Sequence, residues 1–107
     1  EISRCLYNIP SKILELDLSH NKIYGYLPKT LNFSFSDSIM VNLAFNQLKG
    51  SIPLWSGVSF LYLRNNFLSG TVPDDIGEEM SQLEKLDLSH NHLTRSIPPS
   101  IHRIQKL

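Results

Sequence analysis

Cysteine, positive charge in runs and long apolar stretches are all scarce or missing in this chain. Cys5 is the single cysteine among 107 residues, so no disulfide closes within the chain and pairing says nothing of the redox compartment. Cys5 is either a small apolar residue buried near the first turn of the fold or half of a bridge to a segment outside this stretch. Ten basic residues stand against ten acidic ones, with no run of Lys or Arg, which excludes the electrostatic footprint of a nucleic-acid or polybasic membrane binder. No segment approaches the roughly 20 consecutive apolar residues of a bilayer span. The opening, EISRCLYNIP, lacks the charged and apolar regions of a signal peptide. No glycine-rich phosphate loop occurs. At 41% hydrophobic and 19% charged residues, the composition is that of one globular unit and not of a disordered chain.

What is present is repetition. LDLSHNKIYGYLP from Leu16, VNLAFNQLKGSIP from Val41, LYLRNNFLSGTVP from Leu61 and LDLSHNHLTRSIP from Leu86 are copies of one pattern. Each has apolar residues at its first, third and eighth positions, asparagine at the sixth and an apolar-proline pair at the end. A stacked coil requires that at every turn; an ordinary globular domain does not.

Residues one apart in a strand point to opposite faces, so the first and third positions, Leu16 and Leu18 for example, share a face that must be the core. Asn21, Asn46, Asn66 and Asn91 fall where the chain leaves the strand, and stacked amides there donate to and accept from neighbouring backbone. They are expected to form a structural ladder. Gly25, Gly50 and Gly70 follow four residues later, where a second turn is easiest with positive φ. In the fourth copy Arg95 replaces the glycine, so that turn either keeps negative φ or carries strain. Pro28, Pro53, Pro73 and Pro98 then suit entry into a short 3₁₀-like or irregular return.

The copies begin 25, 20 and 25 residues apart. The shortening lies between Pro53 and Leu61, on the return, so it should leave the strand ladder intact, with Trp55 filling the shorter arc. Repeats running to both ends, a first residue that is Glu1, and Leu107 placed to open a fifth repeat predict a single segment, 1–107, of about four repeats cut from a longer, uncapped solenoid.

The run LxLxxNxLxGxIP resembles the plant-specific class of extracellular leucine-rich repeats. KILELDLSHNKIYGYLP, SIPLWSGVSFLYLRNNFLSGTVPDDIG and LEKLDLSHNHLTRSIPPSI are similar to the later repeats of plant receptor-like proteins, the kinase-lacking cell-surface receptors of microbial or developmental signals. The resemblance implies an α/β solenoid: a right-handed coil with a short-stranded parallel sheet on its concave side and irregular or 3₁₀ convex returns. It further implies a non-enzymatic ectodomain outside the cell, binding a protein or peptide ligand there, with a co-receptor kinase reached through the parent protein and no cofactor. Receptor-like kinases and polygalacturonase-inhibiting proteins use similar repeats. A secreted inhibitor of microbial wall-degrading enzymes, or a structural spacer that touches nothing, are therefore the alternatives.

The outward strand positions form columns: Glu15, Met40, Phe60, Lys85; Asp17, Asn42, Tyr62, Asp87; Ser19, Ala44, Arg64, Ser89. The middle copies gather Met40, Phe60, Tyr62 and Arg64, with Phe45 at the strand end and Asp17 and Asp87 flanking. These are the residue types of binding hot spots, and a protein or peptide contact is expected there. Asp17, Ser19 and His20, repeated as Asp87, Ser89 and His90, contain the groups of a hydrolase triad. However, aspartate and serine two apart project side by side, no nucleophile elbow supports the serine, and the set recurs at equivalent positions. His20 and His90 lie about 14 Å apart, and His90 with His92 lacks a third ligand, so no metal site is expected. Asn32-Phe33-Ser34 is an N-glycosylation acceptor on the return after Pro28, clear of the concave face.

Overall fold

In the computed structural model the repeats stack as successive turns of a coil, and the structure describes Ile2, residues 15–32 and residues 39–94. Cys5, Arg95, Pro98, Leu107 and the Phe33-Ser34 part of the glycosylation pattern lie outside the described residues.

Each copy opens on a three-residue strand: β1 (Glu15–Asp17), β4 (Met40–Asn42), β7 (Phe60–Tyr62) and β9 (Lys85–Asp87). These form a parallel sheet in the order β1-β4-β7-β9. The register holds at equivalent positions throughout: Glu15, Met40, Phe60 and Lys85 lie side by side, as do Asp17, Asn42, Tyr62 and Asp87. The shorter interval between β4 and β7 causes no slip, because the missing residues come from the return and not from the strand.

A second parallel sheet, absent from the sequence-based expectation, follows the asparagine turn. It consists of β2 (Tyr24–Tyr26), β5 (Gln47–Gly50), β8 (Phe67–Gly70) and β10 (His92–Leu93). Its register is staggered by two residues at each step: Tyr24 pairs with Gln47, Lys49 with Phe67, and Ser69 with His92. The recurrent glycine ends or lies within these strands at positive φ, 97° at Gly50. A Cβ there would come within 2.9 Å of Tyr26 Cδ1, so both backbone conformation and space call for glycine.

The returns differ from one another. In the first, β3 (Thr30–Asn32) pairs with β6 (Leu54–Ser56) of the second, placing Leu31 beside Trp55. The longer third return holds one helical turn, α1 (Ile76–Glu79), and no 3₁₀ segment occurs among the described residues. Trp55 is fully buried and its indole N–H donates to the Pro28 carbonyl at 2.9 Å, so one side chain closes the short arc and ties two coils together.

The core runs the length of the stack. Val41, Leu43, Leu48, Leu61, Leu63, Leu68, Leu86 and Leu88 contribute from the repeated positions, and Ile76, Met80 and Leu83 from the third return. Leu16, Leu18 and Ile23 are only half-buried, since among the described coils only one covers theirs.

Candidate recognition surface

The asparagines make the coil possible. Asn46 Nδ2 donates to the carbonyls of Leu18 (3.0 Å), Leu43 (3.0 Å) and Ala44 (3.2 Å), while its Oδ1 accepts from the N–H groups of Asn21 (3.2 Å) and Ile23 (3.1 Å). Asn66 and Asn91 repeat this one coil further on each time, reaching the carbonyls of Leu43 and Leu63 and accepting from the N–H groups of Leu48 and Leu68. Among the described residues Asn21 Nδ2 reaches carbonyls of its own coil, Leu18 and Ser19. Backbone groups that leave the first sheet are thereby paired inside the turn, beside the backbone bonds from His20, Phe45 and Asn65 to the carbonyls of Ala44, Arg64 and Ser89 in the next coil.

To place the amide, the preceding residue adopts left-handed backbone: His20, Phe45, Asn65 and His90 all have φ between 56° and 59°. Asn65 takes this conformation readily and histidine more often than most residues, whereas Phe45 does not. Phe45 therefore sits in the turn, not on the strand, and its ring stacks on His20 of the first copy at 4.3 Å between centroids. That sets it apart from Met40, Phe60, Tyr62 and Arg64, with which the sequence had grouped it.

Met40, Phe60 and Tyr62 share the outward face of the first sheet, and Arg64 follows two residues after the end of β7. Met40 pairs with Phe60, and Tyr62 lies between Asn42 and Asp87. Met40, Phe60 and Tyr62 are half-buried, whereas Arg64 is exposed.

The aspartate-serine pairs have a structural task. Asp17 Oδ1 accepts from the N–H (3.0 Å) and Oγ–H (2.6 Å) of Ser19, and Asp87 does the same for Ser89, at 3.1 and 2.6 Å. Asn42 Oδ1 accepts from the Ala44 N–H at 3.0 Å. The Ser19 hydroxyl, then the Ser19 N–H, and to a lesser extent nearby His20, hold the Asp17 carboxyl below the usual carboxylate range, against a small opposing effect of burial. With the folded value depressed, any stability from these bonds is present above the ordinary aspartate pKa and is lost as pH falls through the folded value. Among the described residues no group of three potential metal ligands comes together.

Sequence reasoning missed the second sheet's outer face. Tyr24 (58% exposed), Tyr26 (65%) and Phe67 (52%) all lie there, and Phe67 stacks on His92 at 6.1 Å. Period-two alternation around Leu48 and Leu68 would have pointed to it had those short stretches been taken as strands.

Parallel strands in equivalent register, an amide ladder at each turn and a variable outward face define a leucine-rich-repeat coil. Residues 12–35, 57–78 and 82–104 match the model of the Leucine Rich Repeat family. The chain belongs to that family. The second copy, Val41–Pro53, falls between the matched segments although it stacks in register with them.

Relatives include three proteins of Arabidopsis thaliana. Receptor-like protein 43 is 37% identical over 98 residues, covering 84% of this chain and 13% of that protein. Receptor-like protein 31 is 35% identical over 108 residues, covering 97% and 12%. Receptor-like protein 34 is 30% identical over 95 residues, covering 85% and 10%. The chain thus spans about a tenth of the length of these relatives and resembles a repeat region of receptor-like proteins. No helix among the described residues is long and apolar enough to cross a membrane.

Proposed function

We propose that this chain is a non-catalytic recognition segment of a plant cell-surface receptor's ectodomain, lying outside the cell and binding a protein or peptide on the concave face of its first sheet. The observation that carries this is the register, which brings Met40, Phe60 and Tyr62 from two adjacent coils onto one face, with the exposed Arg64 two residues beyond the end of β7. Apolar, aromatic and guanidinium groups on a rigid sheet are the side chains whose truncation costs most at interfaces. Similarity to receptor-like proteins supports the same reading.

The test uses a binder selected against the 107-residue chain from a library of extended peptides. The Phe60→Ala, Tyr62→Ala double variant should weaken that binder by more than about tenfold, while Glu78→Ala on the third return leaves it unchanged. A loss smaller than about twofold in the double variant counts against the proposal.

Asn32 ends β3, whose backbone pairs with β6 in the small sheet of the returns and not with the first sheet. A glycan at Asn32 would belong to the return side. In a secretory host the chain is expected to carry a mass increment that a glycosidase removes and that Asn32→Gln lacks.

A further inference from the structure

In a regular parallel ladder the N–H of each copy's fourth position would donate to a carbonyl of the preceding coil. Here the ladder asparagine takes that carbonyl: Leu18 O receives Asn46 Nδ2, Leu43 O receives Asn66 Nδ2 and Leu63 O receives Asn91 Nδ2. The N–H groups of Ala44, Arg64 and Ser89 are displaced as a result. Ala44 and Ser89, like Ser19 in the first copy, recover an acceptor from the Asn or Asp side chain two residues earlier, at 3.0 to 3.1 Å.

The third copy breaks this rule. Tyr62 stands at the second position and offers no such oxygen. Among the described residues nothing accepts the Arg64 N–H, and the guanidinium donates only its Nε–H, to Asn65 Oδ1 at 3.3 Å. An unpaired backbone N–H therefore stands where the sibling copies hold an oxygen, on a residue that itself carries a positive charge. The remaining guanidinium N–H groups are free to add a charge-assisted pair. The flanking residues in the same column, Ala44 and Ser89, are small and uncharged, and the single bonded oxygen of Asp87 is held by Ser89.

We infer that Arg64 receives a side-chain carboxylate, from an Asp or Glu of a bound peptide, at the place where the other copies put their own Asp or Asn oxygen. The siblings identify the source: in each, a side-chain oxygen fills this position. The positive charge of Arg64 selects a carboxylate over an amide. Tyr62, two residues earlier, and Phe60 beyond it offer apolar surface to the residues that flank the acid. This inference rests on the proposed recognition role of the first sheet and names the ligand chemistry of that role.

The test follows the backbone N–H and Nε–H resonances of Arg64 by NMR in the 107-residue chain. The probes are N-acetylglutamate N-methylamide, its glutamine counterpart, and N-acetylalanine for a free α-carboxylate. The glutamate probe should shift the Arg64 backbone resonance saturably, with the glutamine probe at least about tenfold weaker. Tyr62→Asp places a carboxylate there within the chain and should abolish the titration. Arg64→Gln keeps the N–H and should weaken the glutamate probe alone. Equal shifts with the glutamine probe, an undiminished titration in Tyr62→Asp, or binding of N-acetylalanine in place of the glutamate probe would each overturn the inference. Failure of these small probes with a positive Phe60 and Tyr62 result leaves the recognition face standing without this site.

Discussion

Asn66→Ala should destabilise the chain by about 3 kcal/mol in urea unfolding followed by Trp55 fluorescence, whereas Asn21→Ala should cost less than about 1 kcal/mol. Both remove the same side chain from the same position of a repeat; their surroundings decide the difference. Asn66 is 4% exposed. Its loss leaves the buried Leu48 N–H without its only acceptor among the described residues, while the Leu43 and Leu63 carbonyls keep partners in Asn46 and Asn91. One orphaned buried donor costs about 1 to 3 kcal/mol, and the vacated volume and the lost amide bonds account for the remainder. Asn21 is exposed, and the Leu18 carbonyl it serves keeps a partner in Asn46. Asn66→Asp discriminates further: it keeps the acceptor for Leu48 but sets a carboxylate against three carbonyls, and should therefore cost more than alanine. Equal losses at positions 21 and 66 would show that the amides are surface groups and that the coil is held by apolar packing alone.

The first sheet was legible in the letters because its period is short and its copies are equivalent. Leu16, Val41, Leu61 and Leu86 align in sequence and pair in space without offset. The second sheet was not legible. Its strands span two to four residues, and each is displaced by two relative to its neighbour, so aligned letters are not adjacent residues: Lys49 lies beside Phe67, not beside Ser69. The left-handed turn was hidden for a chemical reason. Phe45 carries none of the usual signal for positive φ and His20 and His90 only a weak one, and the conformation is imposed by where the next asparagine must put its amide. The letters therefore put Phe45 at the strand end, whereas it occupies the turn.

Arg64 shows how a site can be half visible. The contrast between D-x-S, N-x-A, Y-x-R and D-x-S at the second to fourth positions was in the sequence from the start, and Tyr62 and Arg64 stood out by residue type. That Tyr62 removes an oxygen needed by Arg64 became apparent only with the asparagine bonds, because those bonds are what displace the fourth N–H from its ladder.

Trp55→Ala is expected to be the most damaging single truncation in the described core, at about 4 kcal/mol, read by circular dichroism because the substitution removes the only tryptophan. Trp55 is the largest fully buried side chain, and it sits where the second return is shortest. Deleting it opens a cavity in the core beneath the second return and strips the Pro28 carbonyl of its indole donor. In a solenoid each coil is stabilised by its neighbours, so a cavity in one coil weakens the coils on both sides. Trp55→Phe separates the two contributions, since it retains most of the ring volume but cannot donate to Pro28. A cost of about 1.5 kcal/mol for phenylalanine against about 4 for alanine assigns the role chiefly to volume. Equal costs would make the hydrogen bond to Pro28 the dominant tie between the coils. Either result bears on recognition, because the return that Trp55 closes joins β4 to β7, the two strands that carry Met40, Phe60 and Tyr62. A loosened return should spread those side chains before the asparagine ladder gives way.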